Sequence, residues 1–221
     1  PAGLDLSGDM SGFAWADFNG DGRLDCFVAV RDGLSKLMLQ QPDGSFVPRD
    51  QTFGGLFDAR SVSVADFDND GDFDVFLTRW GTHNQLLVND GTGLFDHSQF
   101  TELWDYRQSQ VGIWGDYDND GWQDLYVVNY DTPDELYHSD GGTSFSRASE
   151  GLMATPGSGY AATWCDLEGD GRLDLVVPRY DVPSWQLRNT ADNGNHWLRV
   201  RLVGSQDADA PGNTEAFGAV I

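Results

Sequence analysis

The chain is poor in positive charge. Its 221 residues hold 13 Lys and Arg against 36 Asp and Glu, for a formal net charge of −23. That balance disfavours binding to DNA, RNA or anionic membrane surfaces. Only two cysteines are present, too few for a disulfide scaffold and without a metal or redox spacing. No apolar run is long enough to span a bilayer, no signal-peptide pattern is visible, and no segment has helical periodicity. A nucleophile elbow, a zinc motif and a phosphate loop are also missing from the sequence. The four histidines, His83, His97, His138 and His196, occupy unlike places and form no visible triad. With 13% aromatic residues, eight of them Trp, the chain is still too rich in core formers for a disordered acidic tail.

The acids are not scattered. A nine-residue pattern begins at Asp17, Asp66, Asp116 and Asp166, at intervals of 49, 50 and 50 residues. Positions 1, 3, 5 and 9 carry Asp17, Asn19, Asp21 and Asp25; Asp66, Asp68, Asp70 and Asp74; Asp116, Asp118, Asp120 and Asp124; and Asp166, Glu168, Asp170 and Asp174. Position 6 is Gly in every copy, which permits a sharp turn at positive φ. Side-chain oxygens alternating inward at positions 1, 3 and 5 suit a hard cation with six to eight oxygen ligands. Position 7, occupied by Arg23, Asp72, Trp122 and Arg172, is expected to offer its backbone carbonyl. An EF-hand is excluded, because position 12 is Val28, Leu77, Val127 or Val177 where that loop needs a bidentate Glu. The pattern predicts up to four Ca²⁺ ions, one per loop. Loop 1 is the weakest by charge, and the longer arm of Glu168 alters loop 4. Fifteen of the 36 acids sit in these ligand positions, so four divalent ions would bring the charge to about −15. Magnesium suits a flexible protein oxygen cage less well than calcium. Weak oxygen sites, with Kd ~10⁻⁴–10⁻³ M, match extracellular calcium, so a secreted or surface-exposed protein is expected.

Each loop lies between β-forming stretches. Strand A precedes it (12–16, 62–65, 111–115, 160–165) and an apolar strand B follows. Strand C is seen at 36–40, 84–88 and 135–138, then a turn rich in Asp, Asn and Gly. A short strand D carries Phe46, Phe95 or Phe145. Four strands in each repeat of about 50 residues are the mark of a β-propeller blade. The expected fold is all-β, with about four four-stranded antiparallel blades over 1–190, starting near 11, 60, 110 and 159. Cys26 and Cys165 replace small or apolar residues of other copies. They read as two buried free thiols, or as a disulfide if the first and fourth repeats are neighbours.

The motif D-x-[DN]-x-D-G-x-x-D, with Glu168 its one departure at position 3, resembles the FG-GAP/VCBS-type calcium-binding propeller repeats. These occur in integrin α-subunit heads and many secreted bacterial proteins. The resemblance covers about 10–190 and implies a larger propeller, commonly of seven blades. From Asn195 to Gly204 the chain alternates strongly without an Asp loop. With Asn213 and 216–220 it resembles the start of an ASPIC/UnbV-type module, as in cartilage-acidic-protein-like proteins, so 191–221 reads as a truncated β module. Gly3-Leu4 matches Gly151-Leu152 before the fourth strand A. The chain is therefore expected to be a fragment, or a subunit completed by a neighbour.

If strand direction alternates, the face opposite the acidic loops carries Arg31, Trp80, Tyr130 and Tyr180, joined by Arg79, Arg179, Trp104 and Tyr106. Rings beside guanidinium groups suit ligand contacts; alternatively, these aromatics wedge adjacent blades together. The expected role is a non-catalytic extracellular binding, adhesion or structural module, stabilised by calcium. Its partner would be a protein or a glycan, or another copy through exposed blade edges. The alternatives are a carbohydrate-binding lectin, a subunit of an extracellular fibre, or a polysaccharide-active enzyme.

Overall fold

The computed structural model describes residues 8–53, 58–97, 100–104, 106–148, 155–180 and 182–197. The calls on Gly3-Leu4, Gly151-Leu152 and most of the C-terminal module, Asn213 and 216–220 included, lie outside the described residues. The architecture is all-β. Sheet I contains β1 (Met10–Ala16), β2 (Asp25–Val30), β3 (Ser35–Gln40) and β4 (Phe46–Phe53). Sheet II contains β5 (Ala59–Ala65), β6 (Asp74–Arg79), β7 (Gln85–Asn89) and β8 (Phe95–His97). Sheet III contains β9 (Ser109–Gly115), β10 (Asp124–Asn129), β11 (Glu135–Ser139) and β12 (Phe145–Arg147). Sheet IV contains β13 (Thr163–Cys165), β14 (Asp174–Val177) and β15 (Trp185–Leu187). Each sheet is an antiparallel meander in chain order. Three are four-stranded and the fourth is three-stranded among the described residues. Among the described residues a single 3₁₀ turn, Thr101–Leu103, interrupts the strands.

Strand B, the second strand of each sheet, is the centre of its blade-like unit. It is buried throughout in sheets I to III, which explains why it reads as a continuous apolar run rather than an alternating one. Its two faces serve different neighbours. Phe27 and Ala29 pack with Val75 and Leu77 between sheets I and II. Phe76 turns the other way, to Leu125 and Val127 between sheets II and III. Tyr126 and Val128 then meet Leu175 and Val177 of sheet IV. The strand-D phenylalanines close these layers: Phe95 lies 5.8 Å from Phe18 and 5.4 Å from Phe53, and Phe145 lies 6.0 Å from Phe67. Phe95 meets both of its neighbours edge to face, and Phe145 stacks on Phe67, arrangements that rings favour.

Strand A needs small residues because adjacent sheets converge there. A Cβ on Gly112 would lie 2.6 Å from the Phe76 ring. Both cysteines are free; Cys26 is buried, as expected, but Cys165 is only half-buried. Burial pushes the Cys26 thiol up to about 11. Residues 191–197 remain attached to sheet III: Asn193 and Asn195 donate side-chain N–H groups to the Asp118 carbonyl at 2.6 and 3.0 Å.

Gly112→Ala is therefore expected to lower stability by about 2 kcal/mol through overpacking against Phe76. Urea unfolding measures this directly, and an unchanged midpoint would mean that the sheet II–III layer can yield.

Candidate metal loops and the opposite face

The four loops share one hydrogen-bond plan. The position-1 Asp accepts from the N–H groups of positions 5 and 6, through Asp17, Asp66, Asp116 and Asp166 at 2.7–3.1 Å. The position-5 Asp accepts from the position-7 N–H at 2.9–3.0 Å. These bonds wind the loop so that positions 1, 3 and 5 face inward. The expected Gly at position 6 has φ of 81, 97, 92 and 84°. Position 4 is also left-handed, at Gly20, Asn69, Asn119 and Gly169, with φ between 56 and 72°. The sequence signal for this second position was its restriction to Gly and Asn, the residues that tolerate αL.

Position 9 plays a different part from positions 1, 3 and 5. Asp25, Asp74, Asp124 and Asp174 are buried. One carboxylate oxygen accepts the position-2 N–H, from Phe18, Phe67, Tyr117 or Leu167, at 2.9–3.3 Å. The other accepts an N–H from the end of strand C, on Gln40, Asn89, Ser139 or Asn189, at 2.8–2.9 Å. Each acid thus ties loop, strand B and strand C together. Burial pushes the Asp74 and Asp124 carboxyls up to about 7, against the lowering pull of those N–H donors.

Loops 2 and 3 assemble convergent ligand atoms. The oxygens of Asp66, Asp68 and Asp70 lie within 4.8 Å of one another, as do those of Asp116, Asp118 and Asp124. Asp68 Oδ1 and Asp118 Oδ1 are shielded from solvent and have no hydrogen-bond partner. Burial, then the neighbouring Asp70 or Asp120 charge, raises both position-3 carboxyls. Orphaned, mutually repelling oxygens are what a cation would satisfy, so these residues fit a hard divalent ion. Loops 1 and 4 differ. Arg23 and Arg172 at position 7 fold back onto the position-5 carboxylates Asp21 and Asp170. Each also donates from Nε to the strand-C carbonyl of Gln40 or Asn189, at 3.0 and 3.1 Å. Glu168 pairs with Arg188.

The loops are also coupled to each other. Asn69 donates to the Gly121 carbonyl at 3.0 Å, and Asn119 to the Gly171 carbonyl at 3.2 Å. Asn89 and Asn189 reach back to the carbonyls of Phe18 and Tyr117, at 2.9 and 2.5 Å.

On the opposite face the structure corrects two expected ligand residues. Arg79 is 2% exposed and Arg179 8%. Arg179 bonds Asp134 at 2.7 Å, which also accepts the Tyr126 hydroxyl at 2.8 Å, and its guanidinium lies 3.5 Å over Trp185. Both arginines are buried at the end of strand B, and Arg179 is held there by Asp134 and Trp185. Arg31 pairs with Asp58 at 3.3 Å. Trp80 and Tyr130 do come together at 5.5 Å. Tyr160 continues the row, 5.8 Å from Tyr130 and 6.4 Å from Tyr180. Tyr160 was hidden by its place at the start of strand A. Tyr180 is 83% exposed, and Arg60 covers Trp80 at 4.3 Å. Trp104 belongs to a separate group with His83, at 5.3 Å, and Tyr106. No helix of the described residues is long and apolar enough to cross a membrane.

A family model described as FG-GAP-like repeat matches residues 17–77 and 116–177, more than half of the chain. Among curated proteins no sequence match is found. The crystal structure of the V. cholerae biofilm matrix protein Bap1 is similar at a TM-score of 0.48 and 15% identity, over 85% of this chain and 33% of that one. The chain thus spans about a third of that protein's length.

Two outcomes follow from the position-9 acids. Asp124→Ala leaves the Tyr117 and Ser139 N–H groups unpaired and is expected to cost about 3 kcal/mol, read by urea unfolding. In metal-free protein the Asp74 carboxyl, at about 7 when folded, stands above its unfolded value near ~4. Its contribution is complete below that unfolded value and is lost as pH rises through about 7. Metal-free protein should therefore melt higher at acid than at neutral pH, with a flatter profile in Asp74→Asn; an equally steep profile in the variant would refute the assignment to Asp74.

Proposed function

This chain belongs to the FG-GAP-like repeat family, and on that premise we propose that it is a non-catalytic, extracellular binding or adhesion module stabilised by Ca²⁺. The observation that carries this reading is the pair of shielded, partnerless oxygens, Asp68 Oδ1 and Asp118 Oδ1, inside convergent carboxylates. The ion's role is structural: it neutralises repelling acids in a loop that joins strands A and B. Asn69 and Asn119 carry that order to the next loop. The four sheets are read as blades of a larger β-propeller, and weak oxygen sites are filled where calcium is millimolar. The convergent acids are those of the loops, and on this reading binding surfaces rather than a reaction centre are the working part.

A second reading, carbohydrate recognition, is favoured by the row Trp80–Tyr130–Tyr160–Tyr180. Tyr160 and Tyr180, the exposed end of this row, offer stacking surfaces for sugar faces. On this reading Tyr180→Ala abolishes glycan-array signal while leaving the melting curve unchanged; signal retained by Tyr180→Ala would exclude Tyr180 from recognition.

For the calcium role, a site with Kd ~10⁻⁴ M at millimolar calcium contributes roughly 1.4 kcal/mol. Two filled sites are thus expected to raise the Tm by ~10 °C. Chelation with EDTA should remove this increment, and Asp68→Asn with Asp118→Asn should forfeit most of it. A Tm indifferent to calcium and EDTA would sink the reading.

A further inference from the structure

Loop 3 differs from the other three by a nitrogen donor. His138 stands on β11, one residue before Ser139, whose N–H holds Asp124. At the same place relative to the loop, the other sheets carry Leu39, Val88 and Arg188. His138 Nδ1 lies 3.2 Å from Asp124 Oδ1 and 3.8 Å from Asp118 Oδ2. Ligand atoms of Asp118, Asp120 and His138 all fall within 4.8 Å of one another. Nδ1 is shielded from solvent and makes no hydrogen bond, as is Asp118 Oδ1 across from it.

The imidazole is held in place from both sides. The Tyr117 ring meets it edge-on at 6.1 Å. Asp140 Oδ1 lies 3.9 Å from Nε2, while the nearer carboxylates of Asp124 and Asp118 face Nδ1. A bare lone pair directed at carboxylates repels them. Either a proton on Nδ1 or a metal ion must stand between.

We propose that loop 3 is a mixed nitrogen–oxygen site for a first-row divalent transition ion, in which His138 Nδ1 joins Asp118, Asp120 and Asp124. The inference rests on the metal-holding reading of the loops and adds a ligand and a selectivity to one of them. Calcium is hard and takes oxygen donors, so an imidazole nitrogen gives it little. Zinc and its neighbours bind imidazole and carboxylate together, and gain affinity from the nitrogen. Loop 2, with oxygen donors alone, supplies the internal contrast: Val88 stands where loop 3 has His138.

The test is equilibrium dialysis of the full chain against micromolar Zn²⁺ in millimolar Ca²⁺, with both metals counted. Wild type is expected to retain one Zn²⁺ in the calcium excess. His138→Leu, which installs the residue found at Leu39, should lose at least ~10-fold in zinc affinity, with calcium uptake in the absence of zinc unchanged. Zinc held equally by His138→Leu, or calcium bound without any zinc retention, would overturn the proposal and leave His138 as an ion-pair partner only. Failure of wild type to bind calcium would count instead against the reading in Proposed function. If the variant does not fold, Co²⁺ added to the native chain decides: the His138 ring protons shift strongly in proton NMR, and unshifted ring protons refute the site.

Discussion

The structure depends on a buried carboxylate used as a two-handed acceptor. In every repeat the position-9 Asp takes one backbone N–H from its own loop and one from the end of strand C. Burying a carboxylate is costly unless it is hydrogen-bonded, and charge-assisted bonds from two fixed amides are among the stronger offsets. The Asp also begins strand B, so its placement sets the start of the central strand. Its partner across the hairpin is the last residue of strand A: Ala16, Ala65, Gly115 or Cys165. Small residues are found there because this corner holds loop, strand and neighbour at once.

From that corner the packing propagates sideways. Strand B exposes neither face to water in sheets I to III, and alternate residues serve alternate neighbours. A sheet of this kind cannot satisfy its apolar surface alone. Sheet I needs Val75 and Leu77, and sheet II needs Leu125 and Val127. The same dependence appears in polar form among the loops, where Asn69 and Asn119 bond carbonyls of the next repeat. The loops and the stacked sheets therefore form one continuous structure: whatever orders loop 2 also fixes the donor that reaches loop 3.

Much of this was legible in the chain. The Asp loops, the left-handed Gly at position 6, the apolar strand B and the strand-D phenylalanines all follow from short-range chemistry and a fixed period. The fourth sheet was less legible, because Trp185–Leu187 is short and follows a proline-containing connection. Position 4 was readable in principle from its Gly and Asn alternation. Arginine beside an aromatic residue looks like a surface contact, and nothing local announces that Arg79 is buried or that Asp134 and Trp185 hold Arg179. The place of His138 beside loop 3 has no local signal either, because it is set by the register of strand C against strand B.

The sequence by itself determined the repeat, the nine-residue loops and the class of ion they suit, since the hydrogen bonds that wind positions 1 to 7 join residues at most five apart. The tertiary structure alone decided which oxygens are left without partners, which arginines are withdrawn from solvent, and that His138 faces Asp118 and Asp124. The pairings of His138 and Arg179 join residues 14 to 45 positions apart, and they are set by how neighbouring strands and sheets register against each other, a quantity no short window of residues contains.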